Sequence, residues 1–122
     1  MIILDTNIVI EVFKNNLIII NRCFSIGIEN VCISDVTVGE FYAGTLNKEE
    51  KQKIKKHLLQ LPNLSLNEAI SSIMVGLMEK YCLSHHPHVD DMLIAATALY
   101  YEMPLYTLNT KDFRYIPHLE LI

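Results

Sequence analysis

Glycine is scarce in this chain. Gly27, Gly39, Gly44 and Gly76 lie too far apart to build a dinucleotide fingerprint or a phosphate-cradling loop. No Gly-x-Ser-x-Gly elbow is present, which removes the common serine-hydrolase arrangement. Cys23, Cys32 and Cys82 are odd in number, widely spaced and without a C-x-x-C pair. That usage suits reduced thiols and excludes a disulfide framework. A basic excess is also missing: the net charge of -4 argues against a surface coated for gripping nucleic acid. It leaves a nuclease open, because metal-binding acids add formal charge that bound cations offset. No apolar run approaches the ~20 residues that span a bilayer. Met1 leads into Ile2-Ile3-Leu4 with no basic leader or cleavage site, so no signal peptide is expected. A soluble, cytoplasmic protein is the expectation.

What the 122 residues do contain is apolar material, 51% of the chain, enough for one core and one domain spanning residues 1–122. Ile2-Ile3-Leu4 has the β-branched content of a short buried strand. Helical spacing follows over residues 8–14 and again over 17–26, closed by Gly27. Val31-Cys32-Ile33 predicts a second strand, and Ser34 an N-cap for a helix running to about Ala43. A charged helix is expected over residues 46–61 and a strand over 64–66. Asn67 should cap a helix over 68–81, with Ile70, Ile73, Met74, Leu77 and Met78 as its apolar stripe. Residues 89–102 predict a buried helix, 104–107 a fourth strand and 119–122 an edge strand. Alternating strands and helices give an α/β fold in three α/β/α layers, around a mostly parallel sheet of four or five strands.

Acids stand at the ends of these elements. Asp5 closes the first strand, where a buried carboxylate is costly unless something pairs with it and where open α/β sheets bind ligands. Glu40 fits a capping box with Thr37, but Ser34 is the better cap, which leaves Glu40 within the helix beside Phe41 and Gly39. Asp90 and Asp91 open the buried helix. Each would favour the helix dipole by ~0.3–1 kcal/mol, and helical geometry alone does not choose between them as a site acid. Small residues Ala95, Ala96 and Ala98 would let that helix bring an acid close to Asp5. Asn109 and Asp112 follow the fourth strand, with Asn109 a natural N-cap and either side chain an oxygen donor for a cation. His85-His86-Pro87-His88 matches no zinc spacing, and a solvated loop with a modest part in positioning substrate is the better reading. The lysines between Lys48 and Lys56 are the densest basic patch.

Four segments together resemble the PIN-domain ribonucleases, and among them the VapC-type toxins of prokaryotic toxin–antitoxin pairs. These are Ile3-Leu4-Asp5-Thr6-Asn7, Val36-Thr37-Val38-Gly39-Glu40-Phe41, Asp91-Met92-Leu93-Ile94-Ala95-Ala96-Thr97-Ala98, and Thr107-Leu108-Asn109-Thr110-Lys111-Asp112-Phe113. They stand in the family's order and span nearly the whole chain, the third being the most specific. The resemblance implies a PIN-like fold in which Asp5, Glu40 and Asp91 are the main acidic metal ligands and Thr6 supplies a supporting hydroxyl. Asn109 occupies the variable fourth position, with Asp112 a candidate for the missing charge. Asn7, Asp90 and Thr107 stand beside them as supporting positions.

Hard carboxylate oxygens select Mg²⁺ or Mn²⁺. Such ions lower the pKa of bound water and stabilise a leaving oxygen, so no protein nucleophile is required. The resemblance implies an endoribonuclease acting as the toxin of a type II module. It also implies a homodimeric state and a small antitoxin partner that covers the acidic site and binds operator DNA. Two rivals remain. A haloacid-dehalogenase-type phosphatase needs a second Asp where this chain has Asn7. A catalytically inactive PIN-like module that binds RNA or protein is kept open by Asn109.

Overall fold

The computed structural model describes residues 1–122. Its sheet has four parallel strands in the order β3-β2-β1-β4, with β1 Ile2–Leu4, β2 Val31–Ser34, β3 Asn63–Leu64 and β4 Leu105–Tyr106. Register is set by Ile2 opposite Val31 and by Leu4 opposite Tyr106. Parallel strands need crossovers, and helices supply them: α1 Thr6–Phe13, α2 Leu17–Ile26, α3 Asp35–Ala43, α4 Lys48–Leu58, α5 Glu68–Tyr81 and α6 Val89–Tyr101.

Strand side chains alternate between two cores, as the two-residue period of a strand requires. Leu4, Val31, Ile33 and Tyr106 join Ile8, Val9, Ile19, Cys23, Ile54 and Leu58 from α1, α2 and α4. Ile3, Cys32 and Leu105 point the other way, against Met92, Ile94, Ala95 and Ala98 of α6 together with Phe113 and Ile116. This is the expected three-layer α/β/α arrangement. Ile3, Ile8, Ile33 and Ile94 are essentially inaccessible, and each such side chain is worth ~1.5–3 kcal/mol relative to exposure. The buried alanines of α6 carry no bulk to hold it off its neighbours, and Ala95 and Ala98 share a core with Ile3 of β1.

Several boundaries differ from expectation, each for a local reason. α1 starts at Thr6, two residues earlier than its apolar spacing suggests, because Asp5 is its N-cap. α4 starts at Lys48 because the Asn47 side chain accepts the Glu50 N–H at 2.8 Å, leaving Leu46 outside and exposed. β3 is Asn63–Leu64 rather than residues 64–66. The expected edge strand over 119–122 is a single parallel bridge, Leu105 to Leu121, so the sheet has four strands. Glu102 caps α6 in the left-handed region, φ 54°. No helix is long and apolar enough to cross a membrane.

Candidate functional site: acids at the carboxyl edge of the sheet

The chain leaves β1 at Asp5, and the geometry there follows from that exit. Asp5 is only 4% exposed, so both carboxylate oxygens must find partners. One oxygen accepts the Thr6 N–H at 2.8 Å and the other the Thr107 hydroxyl at 2.7 Å. The second bond ties the end of β1 to the end of β4. Thr107 Oγ1 also accepts the Asn109 N–H at 3.0 Å and, more weakly, the Asn7 amide at 3.4 Å. Its one proton and both lone pairs are thereby used. Asn7 holds the same loop a second time, accepting the Leu108 N–H at 3.3 Å.

Glu40 arrives from α3, whose N-terminus is fixed by Ser34 accepting the Val36 N–H at 3.1 Å. Thr6 donates its hydroxyl proton to Glu40 Oε1 at 2.8 Å. With that proton committed, Thr37 is the donor in the 2.9 Å contact between the two threonine hydroxyls. The Thr37–Glu40 spacing therefore serves the site and not a capping box. Thr37, fully buried, is the position sequence reasoning missed. The available signal was a Thr one helical turn before the acid, on the same face.

Asp91 is half-buried in the first turn of α6, whereas Asp90 is exposed and accepts the Asp91 N–H at 3.0 Å. The two acids that helical geometry left tied are thus separated by burial. Yet Asp90 is no bystander: it is the strongest acidic influence on Asp5, on Glu40 and on Asp91. Burial pushes the Asp91 carboxyl up to about 6, helped by Asp90, Asp5 and Asp112 and opposed by His88. Asp5 is raised by burial, with Asp90 and Asp112 adding to it and the Thr107 and Thr6 hydrogen bonds opposing. Glu40 is raised by burial first, with Thr6 opposing and Asp90 and Asp5 adding.

The structure therefore brings acids from four parts of the chain within electrostatic reach of Asp5: Asp5 is influenced by Asp90 and Asp112, and itself acts on Glu40 and Asp91. Asn109 is tied to the same end of the sheet through its backbone, its N–H donating to the Thr107 hydroxyl that holds Asp5. It precedes the short 3₁₀ turn Thr110–Asp112, but its side chain caps nothing and is exposed. The donor set fits a hard divalent cation: all oxygen, with Asp5, Glu40 and Asp91 pushed toward protonation by burial first and by neighbouring acids second. No three His, Cys, Asp or Glu side chains stand close enough together to hold a metal ion as they are placed in the folded chain.

Two cavities flank the acids. One, of 820 Å³, is a groove between α1, α2, α3 and α4, with Ile10, Phe13, Ile20 and Phe41 on its walls and Thr6 and Glu40 at its edge. The other, of 440 Å³, adjoins Asp91 and Asp112 from the side of the histidine loop.

Comparison with known proteins places this geometry. Residues 2–119 match the PIN domain family. A stretch of 34 residues is 62% identical to Ribonuclease VapC of Rickettsia bellii, covering 28% of this chain and 25% of that relative. The aligned stretch thus spans about a quarter of the relative's length. The structure of VapBC-1 from nontypeable Haemophilus influenzae superposes with a TM-score of 0.84 at 29% identity, over 100% of this chain and 97% of that one. A toxin–antitoxin complex from Klebsiella pneumoniae shares the fold, with a TM-score of 0.82 at 24% identity over 100% and 96% of the two chains. Since the matched residues run from the first strand to beyond the last, and include every acid of the site, the chain belongs to the PIN domain family.

Proposed function

We propose that the chain is a Mg²⁺- or Mn²⁺-dependent endoribonuclease and the toxin of a type II toxin–antitoxin pair. The observation that carries this reading is that Asp5 lies within electrostatic reach of both Glu40 and Asp91, acids from two other elements, while Thr6 is bonded to Glu40 and Thr107 to Asp5. Similarity to a ribonuclease and to toxin–antitoxin structures supports it.

Asp5, Glu40 and Asp91 would hold the ion, with Asp112 contributing charge at the open side and Asp90 beside Glu40. When bound, the ion would supply a water of lowered pKa and a Lewis acid for the phosphodiester. The protein's own contribution is orientation. Thr107 and the Thr6 N–H fix both oxygens of Asp5, and the Thr6 hydroxyl fixes one oxygen of Glu40, so ligands meet an ion in place rather than searching for it.

The 820 Å³ groove is the seat we assign to a small antitoxin, since a segment lying in it ends at Thr6 and Glu40 and would cover the acids. A homodimeric, cytoplasmic toxin completes the proposal. The open ion geometry favours one alternative, an inactive PIN-like module that binds RNA or protein without cutting. Incubation of an RNA substrate with Mn²⁺ separates the two. Cleavage by the unaltered protein, stopped by chelator and by Asp5→Asn with the circular dichroism spectrum preserved, is the expected result. Undiminished cleavage in chelator, or by Asp5→Asn, overturns the mechanism.

A further inference from the structure

Around an acidic site, an anionic polymer needs a cationic approach, because like charges repel over roughly a Debye length of ~10 Å. The larger groove that reaches Thr6 and Glu40 has Lys53 and His57 among its lining residues. The 440 Å³ cavity beside α6 holds a denser set, where two acids of the site, Asp91 and Asp112, share the walls with His86, His88, Lys111 and Arg114. Its volume lies within the ~300–1,000 Å³ usual for small-ligand sites and suits a single nucleotide.

We propose that this cavity is an RNA-strand subsite, in which Lys111 and Arg114 hold a phosphate flanking the scissile one and His86 adds an imidazole donor. The assignment rests on the nuclease reading above and extends it to residues that reading does not use. Three features support it beyond charge.

First, the cavity reaches the acids themselves, since Asp91 and Asp112 are among its lining residues. Second, the histidine loop is held in place. The His85 ring stacks on Tyr115 with centroids 3.8 Å apart and planes at 16°, meets Tyr81 edge-on at 5.6 Å, and has Ser84 Oγ 2.7 Å from Nδ1. His86 sits at φ 48°, a left-handed conformation uncommon for a residue with a Cβ. Such strain persists where the surroundings over-determine it, as they do at ligand sites. Third, Lys111 and Arg114 project from the turn that also carries Asp112, and the Arg114 N–H donates to Thr110 O at 2.8 Å. One short segment thus presents both an acid to the ion and cations to the strand.

The test is binding, measured apart from cleavage. A labelled single-stranded oligoribonucleotide is titrated onto Asp5→Asn protein in chelator at several salt concentrations, with and without the pair Lys111→Ala/Arg114→Ala. Removal of two phosphate contacts should lower the slope of log affinity against log salt by ~1.4 and weaken binding about 10-fold near 0.1 M salt. The pair Lys111→Arg/Arg114→Lys should restore the slope, which a merely structural role would not require. Unchanged affinity and slope overturn the proposal, as does an equal loss from Lys51→Ala/Lys55→Ala on α4, or no binding by the Asp5→Asn parent. Cleavage by the unaltered protein with an unchanged slope sinks the subsite alone. The expected slope change in a chain that cuts no RNA sinks the nuclease reading and leaves the subsite standing.

Discussion

The two halves of the acid site are built differently. On the inner side, Asp5, Thr6, Thr37, Glu40, Thr107 and Asn7 form a connected hydrogen-bond network in which each hydroxyl has an assigned partner. On the outer side, Asp90, Asp91, Asn109 and Asp112 are exposed or half-buried, hydrogen bonds join only sequence neighbours there, and charge links Asp91 to Asp90 and Asp112. The inner half is fixed in the folded chain. The outer half is left under repulsion that an arriving cation would relieve. On the proposed function, rigidity would lie where ligands are aimed and charge where an ion is attracted.

Substitutions on either side of that divide should separate in size. Asp5→Asn is expected to lower the RNA cleavage rate on the order of 10³-fold, the scale of several kcal/mol of lost ion-mediated stabilisation. Thr107→Val should come next. It leaves a buried Asp5 oxygen without its donor, costing ~1–3 kcal/mol in chemical denaturation and about 10- to 100-fold in activity through the misdirected ligand. An unchanged denaturation midpoint and rate would show that the inner network does not position Asp5.

The outer half should respond to pH in the metal-free protein. Asp91 moves from the usual 3.8 to about 6 on folding, so it ionises more readily in the unfolded chain. Its contribution to stability is fully present below the unfolded value and is lost as pH rises through about 6. Because the carboxyl is half-exposed, the undiscounted few kcal/mol reduce to about 1 kcal/mol, or a few degrees in melting temperature. Melting should therefore fall between about pH 4 and pH 7, and Asp91→Asn should flatten that fall. An unchanged profile in the variant would remove Asp91 from the repulsive cluster. The smallest effects are expected at the turn after β4. Asp112→Asn should weaken Mn²⁺ binding severalfold, whereas Asn109→Ala should stay within about 0.5 kcal/mol in stability and about twofold in cleavage. The reverse order would make Asn109 the fourth ligand.

Much of this was legible in the sequence, and the exceptions share a cause. The strand at Ile2–Leu4, the Ser34 and Asn67 caps and the buried helix bearing Ala95 and Ala96 follow from local patterns, and the structure has all of them. The separation of Asp90 from Asp91 did not follow, because one residue of helical rotation matters only once the neighbouring α3 and β1 are in place. Thr37 was passed over because, once Ser34 took the cap, nothing local gave its hydroxyl a partner. Asn109 looked like a cap because its residue type favours one. In the fold, Thr107 accepts the Asn109 N–H and organises that turn instead. Each misreading concerns a side chain whose partner lies far away in sequence.

The central claim is that these acids form one cation site with Asp5 at its fixed end. Calorimetric titration of Mn²⁺ onto the metal-free protein and onto Asp5→Asn tests it most directly. Saturable binding by the unaltered chain, lost or weakened at least tenfold in the variant, is the predicted result. Equal binding by both proteins, or none by either, would contradict it.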